Sequence, residues 1–341
     1  IQKEFLGRQP FATLVETVKA YRQTNGVKIE KKDMSILRAE MTKLVSALEG
    51  YHETHSSTDA QSANAALKGI QANAIDGGAA ISAAVRAHYL NYNLHVVVHE
   101  SFLDKMIREE DSETGQVRDY VLGASVSGTQ NTSTRIGLDL KTSNDGILFD
   151  VVLNGTTRSN TAGRTSQATI YTAGRHTFTG RKRVMFDGDS FDIGPARVSV
   201  RARNNTVGAR TGLSGVPILG GIAKGIAMGE ARKRRGQSEA IARRKIVERV
   251  EPEFNELADE QFAKTNDKLQ NEFNKGLREA GIYPSARNLK SSETHMLMDT
   301  RTMAAEELGG SRPVKVPYTG KGASVDLHES AVNNTFSQMD I

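Results

Sequence analysis

Hydrophobic residues recur at helical spacing through the first 92 positions. The segment 33–50 places apolar side chains three and four residues apart and ends in Gly50, and residues 10–23 have the same pattern. A later Ala-rich stretch contains Gly77-Gly78, which predicts a break between two helices. We therefore predict a helical region over residues 1–92, with one helix ending at Gly50.

The pattern changes to strict alternation at about residue 93. Two alternating runs flank Ser143-Asn144-Asp145-Gly146, a composition typical of a β-hairpin turn. Further alternating runs, separated by turn residues, continue to about residue 205. This pattern predicts an antiparallel β region of six or seven strands.

Helical spacing then returns in a long stretch that contains Pro252, which either begins a new helix or kinks a single one. The segment 286–322 has no clear period and predicts a connector with some short ordered pieces. The expected fold class is α+β: a helical N-terminal region, an antiparallel β-sheet, long helices packed on or through the sheet, and the start of a second repeat unit. The predicted segments along the chain are 1–92, 93–205, 206–285 and 286–341.

A strand-like run followed by His-Glu-Ser occurs twice, as HVVVHESFLDKMI from residue 95 and as VDLHESAVNNTF from residue 325. In each copy the residues after the serine have helical spacing, so we interpret the triplet as the point where a strand becomes a helix capped by the serine hydroxyl. Consecutive side chains on a strand point to opposite faces, which excludes a local catalytic triad. The residues of this structural motif are His99, Glu100, Ser101, His328, Glu329 and Ser330.

The two copies also suggest how the second one is placed. Val96 and Val98 correspond to Val325 and Leu327, and we predict that this shared face lies in the core. We expect residues 323–328 to dock as an added strand, either on the sheet formed by 130–200 or on a neighbouring subunit. No second β region follows, so we expect a truncated repeat with sequence missing at either end.

The runs VHESFLDKMI, VRDYVLGASVSGTQNTSTRIGLDL and LFDVVLNGTTRSNTAGRT resemble a family of large uncharacterised proteins of planctomycete-type bacteria, in which a strand-Ser-x-x-Leu-Asn motif recurs. The resemblance covers most of residues 90–336 and implies no activity. The same motif is similar, over a shorter length, to a feature of tubular lipid-binding (TULIP) proteins, which implies a sheet curled around long helices. The first copy departs from the motif, since Asp104 stands where Asn is usual, whereas the second has Asn333.

Composition narrows the classes of function. The chain of 341 residues has no Cys, which excludes disulfides, thiolate zinc sites and thiol catalysis. Its net charge is +5, and nine Lys and Arg stand against three Glu between Lys224 and Arg249. This basic run has no interleaved aromatic residues, so nucleic acid is not an expected partner. The chain begins at Ile1 without a visible signal peptide or an apolar run long enough to span a membrane.

Three small motifs are candidates for a site. Gly221, Gly225 and Gly229 are spaced four apart, which indicates close packing against the β region; with the basic residues behind them, they alternatively predict a lipid or membrane contact. Carboxylates in FDGDSFD could bind a hard cation, although Asp-Gly is typical of a turn, and His52 and His55 could share a helix face. No cofactor-binding motif is present. The basic residues are Arg232, Lys233, Arg234 and Arg235, and the carboxylates are Asp187, Asp189 and Asp192.

Our first functional hypothesis is a non-enzymatic structural or interaction protein of the cell envelope or periplasm, built from tandem α+β units. Its expected partner is protein, either a second copy or another envelope component, with contacts through open strand edges. The alternative is a lipid-binding or lipid-transfer module with an apolar groove in the sheet. A third hypothesis is a hydrolase whose His, Asp and Ser come together from distant segments.

Overall fold

The chain has an α+β fold with two antiparallel sheets, as the pattern of its sequence predicts. The computed structural model describes residues 16, 19–20, 31–54, 56–73, 78–216, 218–304, 307–311 and 320–338. The predicted helix over 10–23 therefore lies almost entirely outside the described residues. The helices are α1 (Lys31–Thr54), α2 (Ser57–Asn73), α3 (Gly78–Tyr89), α4 (Glu100–Ile107), α5 (Leu219–Lys233), α6 (Arg235–Lys268), a π-helical turn (Leu269–Asn274), α7 (Lys275–Glu279) and α8 (Glu329–Gln338). The strands are β1 (Leu94–His99), β2 (Glu109–Val121), β3 (Ala124–Lys141), β4 (Ile147–Arg164), β5 (Ala168–Phe186), β6 (Phe191–Thr211), β7 (Ala286–Ser291), β8 (His295–Arg301) and β9 (Ala323–Leu327).

The chain divides into two compact units. One comprises residues 1–98, 268–290 and 296–341, and the other comprises 99–267 and 291–295. Each unit therefore draws on segments that are distant in sequence. The order of the four segments predicted from the sequence stays a prediction.

The core of the first unit is helical. Leu44 and Leu48 of α1 pack with Leu67 and Ile70 of α2 in a cluster of buried side chains. Helix α1 does not end at Gly50, as the sequence analysis expects, but continues to Thr54. Gly50 lies where α2 approaches, because a methyl group added there would come within 2.8 Å of the Asp59 carboxylate. The glycine therefore permits close helix packing and does not stop the helix.

The sheet of the first unit has the strand order β7-β8-β1-β9. Strands β7 and β8 are two short ordered elements within the segment that the sequence analysis predicts to be a connector. The alternation of apolar and polar residues is weak in both strands. Several of their residues are polar, and most of their side chains are only half-buried. Pairing with neighbouring strands, and not a hydrophobic pattern of their own, accounts for these strands.

The second copy of the repeated run docks as a strand, but on a different partner from the expected one. Strand β9 pairs antiparallel with β1, so the two copies of the motif pair with each other, Val96 opposite Val325. The predicted core face is wrong for β9 and only partly right for β1, where Val98 is buried and Val96 is half-buried. His95 and Val97 are buried on β1, whereas Val325 is 62% exposed and Leu327 is 54% exposed. The alternation in β9 therefore places its apolar residues toward solvent.

The second unit contains a five-stranded antiparallel meander in the order β2-β3-β4-β5-β6. Its strands are long, from 13 residues in β2 to 21 in β6. The turn predicted at residues 143–146 joins β3 to β4, and Gly146 precedes the first residue of β4. Because the connections are short, sequence neighbours pair throughout the sheet.

Helix α6 lies along the open edge of β6 and supplies acceptors to its backbone. Glu239 accepts a hydrogen bond from the Asn204 N–H, at 2.9 Å, and Glu251 accepts one from the Val198 N–H, at 3.0 Å. Asn255 accepts from the Ala196 N–H at 2.8 Å. Further along, the Asn266 side chain accepts from the Phe191 N–H and donates to the Phe191 carbonyl. The helix thus satisfies an edge that would otherwise be free to pair with another strand.

Pro252 lies within α6, so one helix carries it and no new helix begins there. Around it, α6 packs on the inner face of the sheet, where alternate residues of β5 are buried. A methyl group added at Gly180 would lie 3.0 Å from the ring of Phe254, and one at Gly155 would overlap the ring of Phe178. The two glycines leave room for these rings, which fill the inner face.

A buried cation lies on the same face. The side chain of Lys182 is 1% exposed, and its Nζ donates to Asn255 Oδ1 at 2.6 Å and lies 2.9 Å from Asp259 Oδ1. Asn255 therefore accepts hydrogen bonds from both the buried ammonium and the β6 backbone. One amide oxygen holds α6, β5 and β6 in register.

We predict that Asn255→Ala lowers the free energy of unfolding by about 2 kcal/mol, because it leaves the Ala196 N–H and part of the Lys182 ammonium without an acceptor. Asn255→Asp, the matched control, keeps an oxygen in the same place and is expected to lose much less. Urea denaturation of the two variants and the unchanged protein measures the difference. Equal stabilities for all three would contradict the proposed role of this oxygen.

Candidate functional site

The first His-Glu-Ser triplet is the point where β1 ends and α4 begins. His99 is the N-cap residue of α4, with extended backbone, and its Nδ1 accepts a hydrogen bond from the Ser101 N–H at 3.0 Å. The Ser101 hydroxyl lies 2.9 Å from the same ring nitrogen. The imidazole therefore satisfies one of the backbone donors that the first turn of a helix leaves unpaired.

The second triplet repeats this geometry. His328 lies between β9 and α8, and its Nδ1 accepts from the Ser330 N–H at 3.1 Å, with the Ser330 hydroxyl at 3.0 Å. Strand-then-helix turns at both positions agree with the sequence analysis. The prediction that serine is the cap is wrong, because the serine lies inside the first turn and the histidine before it accepts the hydrogen bond. His is not among the residues preferred at this position, so propensity pointed to the serine.

The glutamate of the first triplet contacts the sheet of its own unit. Glu100 Oε1 accepts from the Leu140 N–H at 3.2 Å, and Asp104 Oδ1, one turn later, accepts from the Leu138 N–H at 3.1 Å. Strand β2 pairs with β3 only as far as Ile136. The Leu138 and Leu140 N–H groups therefore lie where this edge of β3 has no partner strand among the described residues. Helix α4 therefore covers an edge of β3 in the way that α6 covers β6.

Asp104 is held in its ionised form at this contact. Burial by itself would raise the pKa of Asp104, but hydrogen bonds from Arg108 and from the Leu138 N–H, with the charges of Arg108 and Arg135, lower it overall. An ionised carboxylate accepts backbone hydrogen bonds more strongly than a neutral acid. The covered edge of β3 is thus stabilised by charge as well as by geometry.

The corresponding residues of the second copy face solvent. Glu329 and Asn333 stand at the positions of Glu100 and Asp104, and both are exposed. Ser330, by contrast, is buried and accepts a hydrogen bond from Asn93 Nδ2 at 3.3 Å. The second junction therefore reproduces the cap of the first but presents its two outward acceptors to solvent.

Three residues of types common in catalysis, His176, Ser159 and Glu239, lie near one another in the second unit. The sequence analysis did not predict this cluster. His176 of β5 is 8% exposed, and its Nδ1 has no hydrogen-bond partner among the described residues. The Ser159 hydroxyl and His176 Nε2 both lie close to Gly174. Burial lowers the pKa of His176 below its ordinary 6.5, and the charge of Glu239 offsets part of that effect. No hydrogen bond joins Ser159 to His176 within the described part of the chain, so the pair lacks the contact that activates a nucleophile.

The glycine stripe of α5 does not pack against the β region. A methyl group added at Gly221, Gly225 or Gly229 would meet no atom within 4 Å. The expectation of tight packing through these glycines is therefore wrong. Gly220 makes the close approach instead, since a methyl group there would lie 2.7 Å from the Leu213 carbonyl oxygen. The shielded small residues therefore lie on another side of the helix from Gly221 and Gly225.

The candidate cation site forms a turn. Asp187 Oδ1 accepts from the backbone N–H groups of Asp189 and Ser190, each at 2.8 Å. Within the described residues no group of three or more His, Asp or Glu side chains could hold a metal ion, so Asp187, Asp189 and Asp192 are not brought together as ligands. His52 contacts the ring of Tyr89 at a centroid distance of 6.4 Å, and His55 lies outside the described residues.

Among the helices that the structure describes, none combines the length and the hydrophobicity that crossing a bilayer requires.

Comparisons with known proteins give little guidance. No protein-family model and no curated protein matches the chain. A crystal structure of lipopolysaccharide binding protein is similar to it at a TM-score of 0.21 and 9% identity, over 69% of this chain and 57% of that one. At this TM-score the match supports no inference about fold or function. The resemblances drawn from the repeated motif remain predictions.

We predict that His328→Ala lowers the free energy of unfolding by about 1 kcal/mol, as loss of an N-cap does. His328→Asn is expected to keep most of this capping contribution, because Asn is a good N-cap residue. His328 Nε2 also lies 3.1 Å from the Ser311 hydroxyl, so Ser311→Ala measures that separate contribution. Chemical denaturation distinguishes the three. If Asn is no better than Ala at this position, the ring does not act as a cap.

A second prediction concerns pH. Because the pKa of His176 is lowered in the folded state, the unfolded chain takes up a proton below about pH 6.5 that the folded chain does not. The free energy of unfolding therefore decreases as the pH is lowered through this range. In His176→Gln this part of the pH dependence is expected to disappear. Urea denaturation at about pH 8 and about pH 5.5, with His88→Gln as the control, tests it. An unchanged pH dependence in His176→Gln would show that the buried ring does not contribute.

Proposed function

We propose that the chain is a structural or interaction protein that assembles with other copies of itself through its second His-Glu-Ser junction. The observation that carries this proposal is the difference between the two junctions. Glu100 and Asp104 accept hydrogen bonds from the backbone of an unpaired strand edge, and Glu329 and Asn333 present the same acceptor positions to solvent. What the first junction binds is the best guide to what the second can bind.

The strand beside this junction supports the same proposal. Strand β9 is the last strand of its sheet, so one of its edges faces no other strand within the described sheet. Its outward side chains, Val325 and Leu327, are apolar and more than half exposed. Natural sheets usually protect such edges with Lys, Pro or a covering element, as α4 and α6 do in the second unit. An uncovered apolar edge strand is suited to β-strand addition.

A second copy is the partner to which we commit. Two β9 strands can pair antiparallel about a two-fold axis near Val325, which gives a closed and self-complementary contact. Acidic residues on another edge strand, β2, argue against a contact with Glu329, because Glu109, Glu110 and Glu113 carry the same charge. Pairing of like strands therefore suits the chemistry better than pairing β9 with β2. Location in the cell envelope stays a prediction.

The alternative of a lipid-binding groove in the sheet receives less support. Phe254 and Asn255 of α6 occupy the inner face of the sheet, where they contact Gly180 and Lys182. An acyl chain on that face would have to displace the helix and leave the buried Lys182 ammonium without its partners. Such a displacement is costly, since an unpaired buried charge is strongly destabilising.

We predict that the protein forms dimers whose population rises with concentration, and that Val325→Lys/Leu327→Lys abolishes them. Both side chains are more than half exposed, so the substitution is expected to leave the melting temperature unchanged while it opposes like charges across the two-fold axis. Light scattering after size exclusion separates a species of 37.1 kDa from one of twice that mass.

Leu257→Lys is the matched control, because Leu257 is an equally exposed apolar residue on α6. It is expected to leave the dimer intact. A protein that remains at 37.1 kDa at every concentration, or a dimer that survives both substitutions in β9, would exclude this assembly.

A further inference from the structure

Helix α5 exposes a row of large apolar residues that the proposed assembly does not use. Ile222 is 56% exposed and Ile226 is 69% exposed, and the two lie one turn apart on the same face. Leu219, one turn before, and Ile218, which precedes the helix, are also exposed. Glycines flank this row, so the isoleucine side chains project beyond their surroundings. A contiguous exposed apolar patch of this kind commonly marks a site of interaction with a protein or a membrane.

A polar pocket opens near the start of α5, on the side of the helix away from Ile222 and Ile226. It has a volume of about 420 Å³, and its lining includes Tyr171, Arg210, Ser214 and Lys224. Arg210 and Lys224 make no ion pair within 4.0 Å with any residue that the structure describes. Two cationic side chains and two hydroxyl groups around an open pocket suit a phosphate group.

Basic residues continue at the other end of the helix. Between residues 219 and 235 the chain has five Lys and Arg and one Glu, and that Glu230 already pairs with Arg234 at 3.1 Å. Arg232 has no carboxylate within 4.0 Å among the described residues. The surface around the apolar row is therefore positive at both ends.

We propose that α5 lies in the interface of an anionic phospholipid membrane, with Ile222 and Ile226 facing the acyl chains and a headgroup phosphate between Arg210 and Lys224 on the opposite side of the helix. A helix that is apolar on one side and basic at its margins binds in this way, by burial of apolar area together with attraction to anionic headgroups. Nucleic acid fits the same charge less well, because the row between the cations is aliphatic and offers no ring on which a base can stack. The basic residues supply the charge complementarity, and the isoleucines require an apolar phase.

The glycines then have a physical role. With no side chains at Gly221, Gly225 and Gly229, the backbone of α5 can approach the headgroup region closely on one side of the isoleucine row. Gly220 is buried, and Ala223, Ala227 and Ala231 are half-buried on the side of the helix away from Ile222 and Ile226, which leaves the apolar row free for the membrane. The contact is peripheral, since the helix lies along the surface and does not cross it.

Vesicle flotation tests the proposal with the whole chain. We expect the protein to float with vesicles of phosphatidylcholine and phosphatidylglycerol, and to bind pure phosphatidylcholine weakly. Ile222→Ser/Ile226→Ser is expected to lower binding to the anionic vesicles about tenfold, since two apolar side chains leave the acyl region. Leu257→Ser is the matched control and is expected to bind as the unchanged protein does.

Substitution of the cationic residues distinguishes binding to anionic vesicles from binding to a free anion. Arg210→Gln/Lys224→Gln is expected to weaken binding to anionic vesicles, whereas Lys264→Gln/Lys275→Gln, with the same change in net charge, is expected to have little effect. Inorganic phosphate is the second probe. If phosphate binds and its binding falls in Arg210→Gln/Lys224→Gln while no variant changes vesicle binding, the pocket is a soluble-anion site and the membrane proposal is wrong.

A fluorescence reporter protects the test against a variant that fails to fold. The chain has no Trp, so Ile226→Trp introduces a single indole at the centre of the row, and Leu257→Trp places one on α6. With anionic vesicles, only the indole at 226 is expected to shift its emission to shorter wavelength and to be quenched by brominated acyl chains. The proposal is overturned if the unchanged protein does not float with anionic vesicles, or if neither indole responds to them.

Discussion

Long antiparallel strands leave backbone donors along the outer edges of a sheet, and in this protein helices supply the acceptors. Side chains of α6 accept from four N–H groups of β6, and two carboxylates of α4 accept from the end of β3. A hydrogen bond of this kind contributes about 0.5–1.5 kcal/mol net, and about 1.5–3 kcal/mol when the acceptor is charged, whereas an unpaired buried donor costs a similar amount. The position of each helix on the sheet therefore depends on where an unpaired backbone N–H meets a carboxylate or an amide.

The same constraint explains why polar residues lie against the sheet. Asn255 and Asn266 would be unremarkable on an exposed helix, but each contacts the backbone of β6. Lys182 is tolerated in the interior because Asn255 and Asp259 surround its ammonium group. Apolar contacts such as that of Phe254 with Gly180 exclude water from these hydrogen bonds, which strengthens them. Apolar packing and the hydrogen bonds to the strand edge therefore belong to one interface between helix and sheet.

The sequence predicted the elements whose cause is local and missed those whose cause is distant. The α+β class, the hairpin at residues 143–146 and the two strand-to-helix turns follow from alternation, turn composition and helical spacing, which a short window contains. Strands β7 and β8 have weak alternation of their own and depend on pairing, so the sequence predicts short ordered pieces in this segment but not two paired strands. The spacing of small residues on α5 was visible in the sequence, but the close approach is made by Gly220, to the turn at Leu213 and Ser214 that precedes the helix. His99 and His328 were recognised as part of a repeat, and their capping role was assigned to serine because the statistics of N-caps favour it.

The repeated triplet shows how far local sequence can specify structure. In both copies His, Glu and Ser produce the same cap, with the ring nitrogen about 3 Å from the serine N–H. The cap is local, so the sequence of the triplet is sufficient for it. The environment of the glutamate is not local: Glu100 contacts the edge of β3, whereas Glu329 contacts solvent. The cap does not use the glutamate side chain. Burial raises the pKa of Tyr51, and the charges of Glu307 and Glu329 add to that effect, so Glu329 lies near that residue and accepts no hydrogen bond from a described strand edge as Glu100 does. This asymmetry is the reason that the second junction, and not the first, is the candidate for assembly.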